Sequence, residues 1–166
     1  MVILKIINGD LLTSGEQYIA HQCNCVTVRA HGLSKSIADR YPYADVYAKR
    51  KPITSTRNTA KDTSVPGTIE ICSPPSSSND PHIICMFAQV TPGKTGAYSK
   101  YYQTNYSDTK KNRLAWFEQC LKEIEKLSIN RVAMPYFIGC GLAGGNWDDY
   151  REILNQSPLE IILYKL

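Results

Sequence analysis

The chain has 166 residues, which suits one domain with one core, and its 43% of hydrophobic residues is too high for a disordered chain. A net charge of +4 fits an anionic small ligand and is too weak alone to argue for nucleic acid. No apolar run approaches the roughly 18 residues that a membrane span needs.

Residues 2–7 form a β-branched-rich run, a predicted strand, that stops at the turn signal Asn8-Gly9-Asp10. With one lysine and a polar break by Asn8, this start does not read as a signal peptide. Residues 18–25 read as a second strand. Residues 33–40 read as a short helix that ends at Tyr41-Pro42, because the residue before a proline is biased away from helix. Residues 44–50 are expected to form a further helix, and the polar, aperiodic residues 53–66 a loop. Residues 68–72 are a predicted strand, followed by a Ser/Pro/Asn/Asp loop over 73–81. Residues 82–90 are almost continuously apolar, hence a buried central strand.

Residues 91–107 are rich in Gly, Lys, Tyr and Ser, without period, and read as a loop. Asp108 is expected to cap the next helix, where Leu114, Phe117, Leu121 and Ile124 recur at helical spacing to about Leu127. Residues 131–135 are a strand leading into a glycine-rich turn. Asn146 is expected to cap a helix with Asp148 and Asp149 in its first turn. Pro158 breaks the chain, and residues 159–163 form the last strand. Strands alternating with helices argue for an α/β sheet flanked by helices.

In an open α/β sheet, ligands bind beyond the carboxyl ends of the strands. Four unusual segments fall there: Asn8-Gly9-Asp10, residues 24–32, residues 91–107 and residues 139–145. In the last, four glycines in seven residues let the backbone approach a ligand, and the helix start that follows adds unpaired N–H groups. The functional reading is a phosphate cradle; the bland one is a tight strand-to-helix turn. The segment matches G-x-G-x-x-G, but that dinucleotide fingerprint belongs in the first βα turn, with an acid after the following strand. Here it lies late in the chain, and Glu160 starts a strand. Gly93-Lys94-Thr95 is no P-loop, since Ala88 stands where the first glycine is required.

The six cysteines lie mostly in apolar runs, which favours reduced thiols and an intracellular location, cytoplasmic or nuclear, over a secreted disulfide framework. His21, Cys23 and Cys25 alternate, so they share one face of a strand. With no fourth ligand at zinc spacing, cysteines packed beside a polar histidine are favoured over zinc; no metal and no cofactor is expected. Cys140 lacks the arginine of a cysteine-phosphatase loop, because residue 146 is Asn. Asn24 suits either a sugar hydroxyl or its own turn backbone.

The order Gly9-Asp10-Leu11, His21-Gln22-Cys23-Asn24, Gly32-Leu33, and Pro135 through Gly141-Leu142-Ala143 resembles the macro domain family over nearly the whole chain. The similarity is closest to the branch of ADP-ribose 1″-phosphate phosphatases and terminal ADP-ribose hydrolases, and includes the ending Ile162-Leu163-Tyr164-Lys165-Leu166. The resemblance implies a single three-layer α/β/α domain over residues 1–166, with a mixed, mostly parallel central sheet. It implies that Asp10 accepts a hydrogen bond from an adenine amino group, with the Leu11 amide beside it. Asn24 would hold the distal ribose, with Gly32 and Leu33 against that ribose and the diphosphate. Gly139, Cys140, Gly141, Leu142 and Ala143 would wrap the diphosphate, and Tyr164 and Leu166 would border the adenine. Two departures stand out. Ala30-His31-Gly32 replaces the usual glycine triplet. Gln89 and Ala143 occupy the positions of the terminal hydrolases' lysine and aspartate.

The resemblance therefore implies an ADP-ribose binder, its partner being ADP-ribose or an ADP-ribosylated small molecule or macromolecule. The expected chemistry is metal-independent hydrolysis at the distal ribose C1″, with His21 or His31 as acid or base and Asn24 as orienting group. A reader without turnover is the alternative, and an RNA-binding module the weaker one, with nucleic acid a weakly supported partner. The latter rests on the charge and on Lys94, Tyr98, Lys100, Tyr101, Tyr102 and Tyr106 in the 91–107 loop, which is expected to act as a lid. No membrane partner is expected.

Overall fold

The structure, a computed structural model, describes residues 3–53, 58–102 and 104–166. Parts of the expected first strand and of the expected 53–66 and 91–107 loops (residues 2, 54–57 and 103) therefore lie outside the described residues. Six strands form one sheet: β1 (Ile3–Asn8), β2 (Tyr18–Asn24), β3 (Ile69–Cys72), β4 (His82–Gln89), β5 (Arg131–Pro135) and β6 (Glu160–Lys165). Their order is β1-β6-β5-β2-β4-β3, and all neighbours are parallel except the antiparallel β3–β4 pair. The three α-helices are α1 (Gly32–Arg40), α2 (Lys110–Glu125) and α3 (Trp147–Asn155).

β4 explains the layering. Its residues are buried on both faces, so the apolar run is continuous, as a central parallel strand requires. Ile83, Cys85 and Phe87 pack on one side with Ile37 of α1 and the turn residues Tyr41, Ala44 and Tyr47. Ile84, Met86 and Ala88 pack on the other with Phe117, Cys120, Leu121 and Ile124 of α2 and Tyr150 and Leu154 of α3. Helical layers therefore cover both faces of the sheet. Among the described residues, no helix is long and apolar enough to cross a membrane.

Two local expectations are corrected. Residues 44–50 do not form an α-helix; a 3-10 turn at Pro42–Ala44 gives way to irregular turns. The reason lies in Arg50, whose buried guanidinium donates to the carbonyls of Thr27 (2.7 Å) and Asn24 (2.8 Å) and to Ser64 (2.8 Å). The cap of α2 is Thr109, whose hydroxyl accepts from the Asn112 amide at 3.1 Å. Asp108 instead serves Thr91 and Arg113. On α2 the fully buried face begins at Arg113, and Leu114 is half-buried. Asn146 caps α3 as expected, accepting from the Asp148 amide.

Candidate functional site

Parallel pairing puts the carboxyl ends of β1, β2, β4, β5 and β6 at one end of the sheet. A cleft of about 270 Å³ opens there, lined by residues that follow β2, β4 and β5 and by the start of α1. Of the expected site residues, His21, Asn24, His31, Leu33, Gly139, Cys140, Gly141, Leu142 and Ala143 line it. Asp10, Leu11, Gly32 and Tyr164 lie outside its lining.

The wall after β5 is a sequence of turns. Within it, the amides of Ile138, Cys140, Gly144 and Gly145 bond to carbonyls of residues 135–141. Those of Gly139, Gly141, Leu142 and Ala143 find no protein acceptor among the described residues. Successive unpaired amides on a concave turn attract anions. Gly139 is required by geometry: its φ is +79°, and a Cβ there would sit 2.5 Å from the Tyr150 ring.

The opposite wall is the N-terminus of α1. Its cap residue His31 makes no side-chain capping bond, and the first turn holds no acidic residue. The first amides of a helix have no partner inside it. The two walls touch, since a Cβ on Gly32 (φ +57°) would lie 2.9 Å from Leu142 Cδ1. Two sets of orphan donors therefore face one space. Among the described residues, no lysine or arginine lines it, so an anion there would be held by amides.

The floor carries the polar side chains. Asn24 is buried, and its Oδ1 accepts the amides of Val26 (3.0 Å) and Thr27 (2.9 Å), while Nδ2 donates to Thr27 Oγ1 at 3.1 Å. The turn-satisfying role is thus real, and one Nδ2 hydrogen remains beyond it. Gln22 Nε2 donates to Gln89 Oε1 at 2.8 Å, and Gln89 Nε2 to the Thr91 carbonyl at 3.0 Å. Gln22 Oε1 is buried without a hydrogen-bond partner. His21 is 2% exposed, with Nδ1 against Ser34 Oγ at 3.2 Å and Nε2 between two cysteine sulfurs. His31 is exposed at the rim. Burial pushes the Cys140 thiol up to about 11, which removes it as a nucleophile near neutral pH.

Beyond the cleft, Asp10 is exposed and caps a 3-10 turn, its Oδ1 accepting the Leu12 amide at 2.9 Å. The Tyr164 ring packs near Gly9, and its hydroxyl donates to Glu16 at 2.6 Å. Tyr136 links this shelf to the cleft: it lines the cleft and its amide donates to the Tyr164 carbonyl at 2.9 Å. Of residues 91–107, Pro92 and Gly93 line the cleft, whereas the exposed Tyr98, Tyr101 and Tyr106 do not.

Sequence reasoning passed over several residues. Arg113 is buried on α2 and donates to Asp108, to the carbonyls of Thr91 (3.1 Å) and Gly93 (2.7 Å) and to that of Ala143 (3.3 Å). It ties the loop after β4 to the wall after β5. Its signal was a charge on the buried stripe of a helix. Gln22, Ser34, Tyr136 and Phe137 also line the cleft. Phe137 holds φ +65°, a strained angle for an aromatic residue, and is half exposed.

No family model matches the sequence. An uncharacterized 17.5 kDa protein from the tk-vs intergenic region of Enterobacteria phage T4 is 23% identical, over 98% of this chain and 96% of that protein. Among solved structures, the macrodomain of Mycobacterium tuberculosis DarG superposes with a TM-score of 0.64 at 19% identity, over 100% of this chain and 99% of that one. The macrodomain of Thermus aquaticus DarG gives 0.62 at 17% identity, over 100% of both chains. Thermosipho africanus DarTG, solved in complex with ADP-ribose, gives 0.58 at 19% identity, over 98% of this chain and 41% of that one. Sheet order, layers and these superpositions agree: the chain carries the macrodomain fold.

Proposed function

We propose that the cleft binds ADP-ribose and that the protein hydrolyses ADP-ribose derivatives at the distal ribose. The observation that carries the binding reading is the pair of unpartnered amide sets facing each other across one cleft. A diphosphate seated between residues 139–143 and the start of α1 would satisfy both. The fold is shared with Thermosipho africanus DarTG, whose structure holds ADP-ribose. In this reading the adenine lies on the shelf of Asp10, Leu11 and Tyr164, its amino group donating to the carboxylate of Asp10. The distal ribose lies over the floor, where the remaining Nδ2 hydrogen of Asn24 and the unpartnered Oε1 of Gln22 offer one donor and one acceptor for its hydroxyls.

Hydrolysis forms a bond from water to C1″ and breaks the C1″–O bond, so phosphate or another adduct leaves with its oxygen. Both His21 nitrogens already face protein groups. The proton of the attacking water therefore goes to His31, the exposed imidazole at the rim. One observation favours a second reading, binding without turnover. Gln89 and Ala143 stand at the two positions named above, and the Gln89 amide is engaged with Gln22 and Thr91.

Calorimetry with ADP-ribose tests binding, and no heat of binding would overturn the proposal. A panel of ADP-ribose 1″-phosphate, O-acetyl-ADP-ribose, ADP-ribosylated protein and ADP-ribosylated nucleic acid tests turnover. Release of phosphate from ADP-ribose 1″-phosphate, or of ADP-ribose from protein or nucleic acid, that His31→Ala slows supports hydrolysis at C1″, whereas acetate release alone would point to ester chemistry instead. Binding without release supports the reader.

A further inference from the structure

His21 of β2 pairs in register with Cys85 of β4, and Cys23 faces the same layer two residues on. Alternation suggested Cys25 as the third member of this face. Cys25 lies past the end of β2 and stays outside the cluster, whose third member is Cys85. Nε2 of His21 lies 3.5 Å from the Cys23 sulfur and 3.5 Å from the Cys85 sulfur. All three potential ligand atoms fall within 4.8 Å of one another. With Zn–N and Zn–S bonds of ordinary length, a tetrahedral zinc site separates nitrogen from sulfur by about 3.6 Å. Both nitrogen-to-sulfur distances already match that spacing, and two adjacent strands of the sheet carry the three side chains.

We propose that His21, Cys23 and Cys85 bind a zinc ion beneath the floor of the cleft. Two thiolates cancel the charge of Zn²⁺, so the filled site buries no net charge. With the ring protonated at Nδ1, Ser34 Oγ at 3.2 Å would accept that hydrogen and leave the Nε2 lone pair for the metal. The Cys23 sulfur lies 3.6 Å from Nδ1 as well, so metal binding requires the ring to turn and bring Nε2 onto the ion. The inference does not rest on ADP-ribose binding.

The test uses the full chain, reduced and stripped by a chelator, then titrated with Zn²⁺ against a chromophoric indicator and with Co²⁺ followed optically. One zinc per chain and sulfur-to-cobalt charge-transfer bands are expected. Cys85→Ser should abolish both, while Cys25→Ser and Cys140→Ser keep them. Where Cys85→Ser does not fold, zinc-edge X-ray absorption of the wild-type chain decides, with two sulfur neighbours and one imidazole nitrogen expected. Substoichiometric uptake, a first shell without sulfur, or unchanged uptake in a folded Cys85→Ser chain would overturn the proposal. So would a Cys23–Cys85 disulfide that takes up no zinc after reduction.

Discussion

Arg113 and Asp108 show how one buried pair shapes a cleft that neither lines. Arg113 is 2% exposed, and it bonds both carboxylate oxygens of Asp108 and carbonyls from both walls. Burial opposes ionisation of Asp108, yet Arg113 and Thr91 hold its carboxyl below the usual range. A depressed carboxyl contributes stability that is present above its unfolded pKa, about 3.9, and lost as pH falls through the folded value. Asp108→Asn leaves the guanidinium buried without its counter-charge and should cost about 3–5 kcal/mol at pH 7. Urea denaturation at pH 7 and pH 3 is the check. The gap between variant and wild type should be wide at the first and narrower at the second. Gly139→Ala acts on the wall itself. The left-handed angle costs about 1–2 kcal/mol, and the Tyr150 ring blocks the new methyl. Melting temperature and ADP-ribose affinity should both fall.

At the scale of the element, α1 trades helix stability for an open end. His31 sits at its N-cap in extended geometry without a capping bond. His31→Asp supplies an acceptor for the first amides and should stabilise the chain by about 0.5–2 kcal/mol. The same carboxylate would face the diphosphate and take its donors, raising the Kd for ADP-ribose about tenfold or more. His31→Asn caps without charge and separates the two effects, because its Kd should rise less. Paired melting and calorimetry on both variants decide; a His31→Asp chain that binds as tightly as wild type would remove α1 from the anion site. Elements were legible where local signals agreed. The strands appear within about two residues of their expected ends, as does the start of α1, because apolar runs and turn residues are local. The 44–50 segment was not legible, since Arg50 is held by carbonyls and a hydroxyl from 14 to 26 positions away. Nor was the α2 cap, because Asp108 and Thr109 are both good caps and what claims Asp108 is the distant Thr91 together with the buried Arg113 five residues on.

At the scale of the whole molecule, the sheet order β1-β6-β5-β2-β4-β3 was not readable from any window of sequence, because it sets the two ends of the chain side by side. It nonetheless explains why segments from residue 10 to residue 164 meet at one end. The glycine turn and the 24–33 segment were legible through their composition. Cys85 was hidden inside an apolar run, where a cysteine reads as core. The charge of the whole chain leads to the last expectation. A net +4 offers weak attraction to any anion, but among the described residues no lysine or arginine lines the cleft. Binding through amides in a partly buried site should then depend little on salt, since screening acts mainly on exposed charges. A nucleic-acid module must instead neutralise phosphates with surface cations, and with 6–10 such contacts it loses about 10³–10⁵ in affinity between 50 and 200 mM salt. ADP-ribose titrated over that range should keep its Kd within about threefold. A short RNA should bind weakly and lose what affinity it has. RNA that binds more tightly than ADP-ribose, with a steep salt slope, would move the function from the cleft to the basic surface and the tyrosines of residues 98–106.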